Sequence, residues 1–318
     1  MAESGTVHEN TTDANTTDPN TTDENTADPN TAGESTAGES AGATARNRTV
    51  RPGGGPRGVS RYVLRVIAIG YLFFLLVLPV ALIVWRTFGD GLVPFVEALT
   101  SPSALHAFQV TLVVALWAVA LNTVFGVGAA LLLVRHDFPG KRLLGAFIDL
   151  PVAVSPVVVG LALILLYGRF SPVGGLLESW GLQIIFSTPG MVLATVFVAL
   201  PLVVRSVVPV LEELGDEQEQ AAHTLGASRF QTFLRITLPG IRSALAYGVV
   251  LCLARSLGEY GAVAVVSGRL VDQTQTLTLF VEERFQNFDQ PAAFAASTAL
   301  ALLAVVTLLL TRLLRPKD

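Results

Sequence analysis

The chain has 318 residues, 51% of them hydrophobic and only 14% charged, where a soluble domain carries roughly a quarter charged. Its mean hydropathy of +0.57 is diluted by a polar N-terminal stretch, so the remainder is too apolar for a water-soluble globule and points to a membrane protein. A net charge of −4 excludes the basic excess of a nucleic-acid-binding domain, and a lone cysteine, Cys252, excludes an intramolecular disulfide and any Cys-based metal site.

Residues 1–45 carry nine acidic side chains and no Lys or Arg, in a decaying Asn-Thr-Thr-Asp-x repeat. Such a segment cannot bury a core. The expectation is a disordered acidic tail with an Arg/Gly/Pro linker, together spanning 1–61. Lacking a basic n-region and an apolar h-region, it does not read as a signal peptide. Asn10, Asn15, Asn20 and Asn47 match the glycosylation sequon, a signal that a cytoplasmic placement discounts.

Six stretches reach the roughly 20 apolar residues that a membrane-crossing helix needs: 63–85, 106–134, 143–167, 189–211, 244–267 and 292–314. They predict an all-α polytopic membrane protein with a six-helix domain over 62–314 and a short tail, 315–318. Pro79 predicts a kink in span 1. In span 2, Asn122 and the Gly126/Ala130 pair permit close helix packing. Span 3 carries Asp149-Leu-Pro151-Val-Ala-Val-Ser155-Pro156, an acid, a hydroxyl and two prolines where a helix would kink and its freed carbonyls need partners. Span 5 contains Arg255 and Glu259, four residues apart and so on one helical face. Charges at that depth pair or face a polar cavity, which leaves a structural ion pair and a pathway gate both open.

Fifteen of the 21 basic residues precede or open span 1, lie between spans 2 and 3 or between spans 4 and 5, or close the chain from the end of span 6, while the alternate loops hold four. The positive-inside rule then predicts both termini in the cytoplasm. The cytoplasmic connection between spans 4 and 5, 212–242, is long for a helix bundle, and long ordered loops are commonly functional. Glu217 to Phe233 reads as one helix with Glu217 and Glu219 in its first turn. Ala221, Ala222 and Gly226 then form a small-residue patch that another surface can approach closely, and Pro239 suits the opening of the next helix. A short amphipathic surface helix is the plainer alternative.

Gln220-Ala221-Ala222, three residues, Gly226, nine residues, then Ile236-Thr237-Leu238-Pro239 resembles the EAA loop of binding-protein-dependent ABC importer permeases, Glu-Ala-Ala, x3, Gly, x9, Ile-x-Leu-Pro. Every spacing matches. Gln220 stands in the Glu position, with Glu219 one place earlier, so a charge and any salt bridge it makes are lost there. The resemblance implies a coupling helix, carried by Glu219, Gln220, Ala221, Ala222, Gly226, Ile236, Leu238 and Pro239, that docks in a groove of a cytoplasmic ATPase subunit.

The segments Asp149–Gly160, Ala254–Gly268 and Ala292–Ser297 are similar to the sulfate/thiosulfate branch of that family, W-type (CysW-like) rather than T-type, and the Leu257–Gly261 core is shared with molybdate and tungstate permeases. The resemblance covers roughly residues 62–314. It implies a second homologous permease, as heterodimer or homodimer, two ATPase subunits that bind ATP and Mg, and an extracytoplasmic binding protein that delivers a tetrahedral oxyanion across the plasma membrane. Arg255, Glu259, Asp149 and Ser155 are the pathway candidates. No cofactor, metal or nucleic acid is expected on this chain itself.

Other classes fit less well. No Gly-x4-Gly-Lys-Ser/Thr phosphate loop occurs, so ATP hydrolysis is expected on another chain. His8, His106, His136 and His223 are scattered without catalytic spacing. An intramembrane enzyme would have only Asp149 and Ser155, six apart and poorly aligned on a helix. A secondary transporter would show matching broken helices in two halves, a repeat the sequence lacks.

Overall fold

The computed structural model describes residues 58–89 and 91–314; the acidic tail, most of its linker and 315–318 lie outside them. Among the described residues every regular element is a helix. Five helical stretches are long and apolar enough to cross a bilayer: Tyr62–Phe88, Pro102–Arg135, Thr188–Leu214, Arg229–Leu257 and Gln290–Thr311.

The first crossing consists of α1 (Gly58–Leu72), a wide π turn at Phe73–Val77, and α2 (Leu78–Phe88). Pro79 has no N–H for the carbonyl one turn back, and the wide turn, closed by the Leu78 N–H on the Phe73 carbonyl, absorbs that mismatch. The short α3 (Leu92–Thr100), which no hydropathy span predicts, leads through Ser101 into α4 (Pro102–Arg135). The Ser101 hydroxyl caps α4 by accepting from the Ala104 N–H.

Close packing in the bundle comes from small residues. Ala104, Ala107, Thr111, Ala115, Ala118, Asn122, Gly126 and Ala130 recur every three or four positions along α4 and are all buried, a stripe that lets neighbouring backbones approach. That stripe meets α8 (Thr188–Leu214) and α11 (Leu238–Leu257). A Cβ on Gly126 would lie 2.8 Å from the Val203 side chain, and one on Gly248 would lie 3.2 Å from the Val203 Cα. Val203 of α8 is thus the point where three helices converge without intervening side chains. Span 2's predicted close packing is the arrangement found.

The third span is not one kinked helix. It is α5 (Lys141–Ala153) and α6 (Pro156–Tyr167), bent by 115°. Val154 and Ser155 are extended, with ψ of 137° and 134°, as steric conflict with the Pro156 ring requires of the residue before it. The fifth crossing also differs from 244–267: it runs Arg229–Leu257, and a break at Gly258–Tyr260 precedes the separate α12 (Gly261–Val266). The two breaks adjoin. A Cβ on Gly160 of α6 would lie 2.8 Å from Val265 Cβ and 2.9 Å from the Ala262 carbonyl, and one on Gly261 would lie 3.0 Å from Pro156 Cβ.

On the side away from the 136–140 loop, α7 (Pro172–Ser179) follows α6, and the Phe186 N–H ties the approach to α8 onto the Val266 carbonyl at 2.9 Å. The chain finishes with α13 (Leu277–Gln286) and α14 (Gln290–Leu314), joined to α4 through Phe280, Leu277, Ala296, Ala104 and Ala107.

Candidate functional site

Between α8 and α11 the chain folds into a hairpin of two short helices, α9 (Glu217–Thr224) and α10 (Arg229–Thr232). The single helix expected from Glu217 to Phe233 is therefore corrected. Gly226 adopts φ +85°, a left-handed conformation that a helix cannot continue through. The Gly226 N–H bonds the His223 carbonyl and the Ala227 N–H the Ala222 carbonyl, both at 3.0 Å, which is the Schellman closure. Gly226 thus makes the turn and is not part of a helical small-residue patch. Ser228 then starts α10 with a capping box, its hydroxyl accepting from Gln231 N–H and Gln231 Oε1 accepting from Ser228 N–H.

The helix that starts at Arg229 continues through a π turn at Phe233–Thr237 into α11. Pro239 accordingly lies inside a continuous helix and does not open it. As at Pro79, the wide turn comes just before Leu-Pro and supplies the slack that the missing N–H demands.

The hairpin has an anchored face and a bare one. Ala222 is buried, whereas Gln220, Ala221 and Gly226 are exposed. Ile236 and Leu238 are half-buried and Pro239 is exposed. At the tip, Leu225 is 88% and Phe230 70% exposed, apolar groups presented outward beyond the bundle.

Glu219 supplies the anchor. Its carboxylate receives Arg135 Nε on Oε2 and Nη2 on Oε1, each at 3.1 Å, and also the Thr237 hydroxyl on Oε1 at 2.8 Å. Arg135 further donates Nη1 to the Leu211 carbonyl at 3.2 Å and Nη2 to the Gly215 carbonyl at 2.6 Å. One mostly buried guanidinium thus ties the end of α4, the end of α8, α9 and the start of α11 together, through the strongest class of neutralised hydrogen bond. The charge absent at Gln220 is supplied one position earlier; Gln220 itself only bonds Asp216, Nε2 to Oδ2, at 2.7 Å on the surface. Sequence reasoning missed Arg135, whose one visible signal was its place at the end of span 2. In the same loop region Lys141 Nζ donates to Asp137 Oδ1 at 2.8 Å and holds that carboxyl below the usual carboxylate range.

Inside the apolar layer, Arg255 at the end of α11 reaches Glu259 in the break, Nη1 to Oε2 at 2.6 Å. The angle is outside hydrogen-bond geometry, Oε2 having no hydrogen-bond partner, so the contact is a close ion pair. Glu259 is 2% exposed and its Oε1 accepts the Ala262 N–H at 3.0 Å at the start of α12. The two charges therefore do not share a helical face as the spacing suggested: Glu259 spans the break and Arg255 holds it from one side. Asp149 and Ser155 are not brought together. Asp149 accepts from Arg205 Nε of α8 at 2.8 Å, and the exposed Ser155 hydroxyl makes no capping bond. At the face opposite the hairpin, the 168–186 segment encloses a cavity of about 710 Å³, beside an Arg169–Glu178 ion pair at 3.3 Å. No cluster of His, Cys, Asp and Glu with metal-holding geometry occurs among the described residues.

The model for the binding-protein-dependent transport system inner membrane component matches residues 122–317. The chain belongs to that family. Among curated proteins, it is 51% identical over 257 residues to the sulfate transport system permease protein CysW of Synechocystis sp., covering 81% of this chain and 93% of that one. The CysW of Escherichia coli K12 is 47% identical over 252 residues, 79% of this chain and 87% of that one. The sulfate transport system permease CysT of Synechocystis sp. follows at 38%, covering 79% and 87%. The W-type therefore outranks the T-type, as the segments around Asp149 and Glu259 indicate. Among solved structures, a bacterial ABC transporter that imports the acidic polysaccharide alginate matches with TM-score 0.66 at 16% identity, covering 81% of this chain and 94% of that one. The permease thus shares its fold with a chain of that transporter.

Proposed function

We propose that this permease carries sulfate, or its analogue thiosulfate, across the cell membrane, paired with a T-type permease and driven by two ATPase subunits that bind ATP and Mg. The hairpin lies on the same side as the loop after Arg135, and together these two connections carry more arginines and lysines than all the loops on the other side, which favours a cytoplasmic position for them and for the two termini. The observation that carries the reading is the α9–α10 hairpin: its tip presents Leu225 and Phe230 bare, while its base is locked to α4, α8 and α11 through Glu219 and Arg135. Such a hairpin cannot rotate without moving the helices it is tied to. Closure of paired ATPases around the bare tip would tilt α8 and α11, and the adjoining breaks at Val154–Ser155 and Gly258–Tyr260 are where that tilt reopens the path from the other side. An extracytoplasmic binding protein would deliver the anion at the face bearing the 168–186 cavity.

The deciding experiment is Gly226→Trp. Space around a Gly226 Cβ is open, so the chain still inserts, but a bulky residue forced into a left-handed turn at the tip spoils the docking surface. The expected result is a normally inserted permease that no longer co-purifies with its ATPase and takes up no labelled sulfate. Normal ATPase co-purification by this variant refutes the coupling role. Parallel uptake of labelled sulfate, thiosulfate, molybdate and tungstate ranks the oxyanions.

A further inference from the structure

Arg205 and Asp149 form an ion pair that the hairpin does not use, and one that differs from every other pair in the bundle. Arg205 lies roughly 14 Å along α8 from Leu214, and Asp149 roughly 12 Å along α5 from Lys141, at about 1.5 Å per residue. Both are thus at similar depth, well inside the apolar layer, yet their side chains are 54% and 50% exposed. Charges at that depth do not face lipid; they face a water-filled cavity or other protein.

Two features favour the water-filled cavity. Pro209, one turn along α8 from Arg205 and also exposed, has no N–H for the Arg205 carbonyl, and Pro151 likewise leaves the Phe147 carbonyl, on the turn beside Asp149, without its helical donor. Carbonyls freed at membrane depth are tolerated where they line a wet cavity or are buried in protein; Pro151 is buried, whereas Arg205 and Pro209 on the α8 side are bare. The guanidinium itself is half used. Only Nε bonds Asp149, so Nη1 and Nη2, with four N–H groups between them, have no hydrogen-bond partner among the described residues.

We propose that Arg205 is an anion-binding residue of the translocation pathway, where a tetrahedral oxyanion docks on the free Nη1/Nη2 edge while Asp149 holds the guanidinium through Nε. The inference rests on the transport reading above and adds a site to it. A planar fork with two parallel donors matches two oxygens of such an anion. The Asp149 carboxylate offsets part of the attraction, which keeps the stay short, as a conducting site requires.

The test uses the complete transporter, with companion permease, ATPase subunits and binding protein, in proteoliposomes. Arg205→Gln is expected to assemble and to hydrolyse ATP in response to loaded binding protein within about twofold of the parent, while sulfate moved per ATP falls about ten- to hundredfold, the loss expected for a charged hydrogen bond. Arg205→Lys falls between. Arg205→Cys, in a chain whose native Cys252 is fully buried, is expected to react with a water-soluble cationic thiol reagent, more slowly when sulfate is present, and to regain uptake once the positive charge is restored. Pro209→Cys reports the accessibility of the same face in a chain that keeps Arg205. Cysteines at 205 and 209 that resist labelling would place the face against lipid or protein and overturn the proposal. Parental uptake by the exchanged pair Asp149→Arg/Arg205→Asp would make it a purely structural contact, and loss of the companion permease from Arg205→Gln would make it a subunit interface; either overturns it too. Failure of the parent transporter itself to couple ATP to sulfate uptake would count against the transport reading instead.

Discussion

Two arginines, Arg135 beneath the hairpin and Arg205 within the bundle, show opposite uses of the same side chain. Arg135 engages all three of its nitrogens on a carboxylate and two backbone carbonyls, at a junction of four elements and mostly out of water. Arg205 engages one nitrogen on one carboxylate and stands half exposed where the surroundings are apolar. With four of its five N–H groups engaged, Arg135 has little left to offer a ligand and makes a rigid tie; a half-satisfied cation is free to exchange partners. The Arg255–Glu259 pair lies between these extremes, with a buried carboxylate that also caps α12 and a more exposed guanidinium. The hairpin is accordingly the stiff part of the permease, and the broken-helix region the adaptable part.

The largest effect is expected at the stiff end. Glu219→Ala leaves Arg135 and Thr237 without their shared partner in a mostly buried site, at a cost of about 3 kcal/mol, the lower end for breaking a buried pair; thermal unfolding in detergent should record it, and ATP-driven uptake should be lost. If stability is unchanged, the tie is not rigid and the contrast with Arg205 fails. Glu259→Ala removes both the ion-pair partner of Arg255 and the cap on Ala262 N–H, costing about 2 kcal/mol, whereas Glu259→Gln keeps the cap and should cost about half as much. Comparing the two in the same unfolding assay separates the ion pair from the cap. Gly160→Ala drives a methyl to within 2.8 Å of Val265 Cβ and 2.9 Å of the Ala262 carbonyl, which should cost about 1–2 kcal/mol by overpacking and slow transport by separating α6 from α12. The smallest effect is expected for Gln220→Glu. Restoring the family's acid on the exposed side, when Glu219 already holds Arg135, should change stability by less than about 0.5 kcal/mol and uptake by less than twofold; a large gain in uptake would move the coupling charge to position 220.

Hydropathy located the crossings because a run of some 20 apolar residues has few alternatives to spanning a bilayer. It could not see the breaks, since Val154 and Gly258 interrupt the backbone direction without interrupting the apolar run. Pro156 carries the signal for the first break, as a residue before proline is forced out of the helical region, though the sequence alone suggests a kink there and not a full break; Gly226 carries the signal for the hairpin turn, as a glycine just past a helix end. The short α3, α7 and α13 left no span-length signature. Within the candidate site, the spacing of Gln220, Gly226 and Pro239 marks the segment through its resemblance to a family pattern, which implies a docking helix and not the turn that Gly226 makes. Its anchor did not show, because Arg135 and Glu219 are 84 positions apart and only the folded bundle makes them neighbours. The same holds for Asp149 and Arg205, 56 positions apart.

The wide turn at Phe233–Thr237 sets the angular phase between the hairpin and the membrane helix that follows. A π turn accommodates one surplus residue relative to ordinary helical winding, and one residue corresponds to about 100° of rotation. Deleting a single residue from that stretch would let the winding become regular and leave Leu225 and Phe230 facing the same way, whereas regular winding with every residue kept would swing them around the axis by roughly a quarter turn. The direction in which the permease offers its tip thus rests on the winding of that one turn, and not on any side chain at the tip.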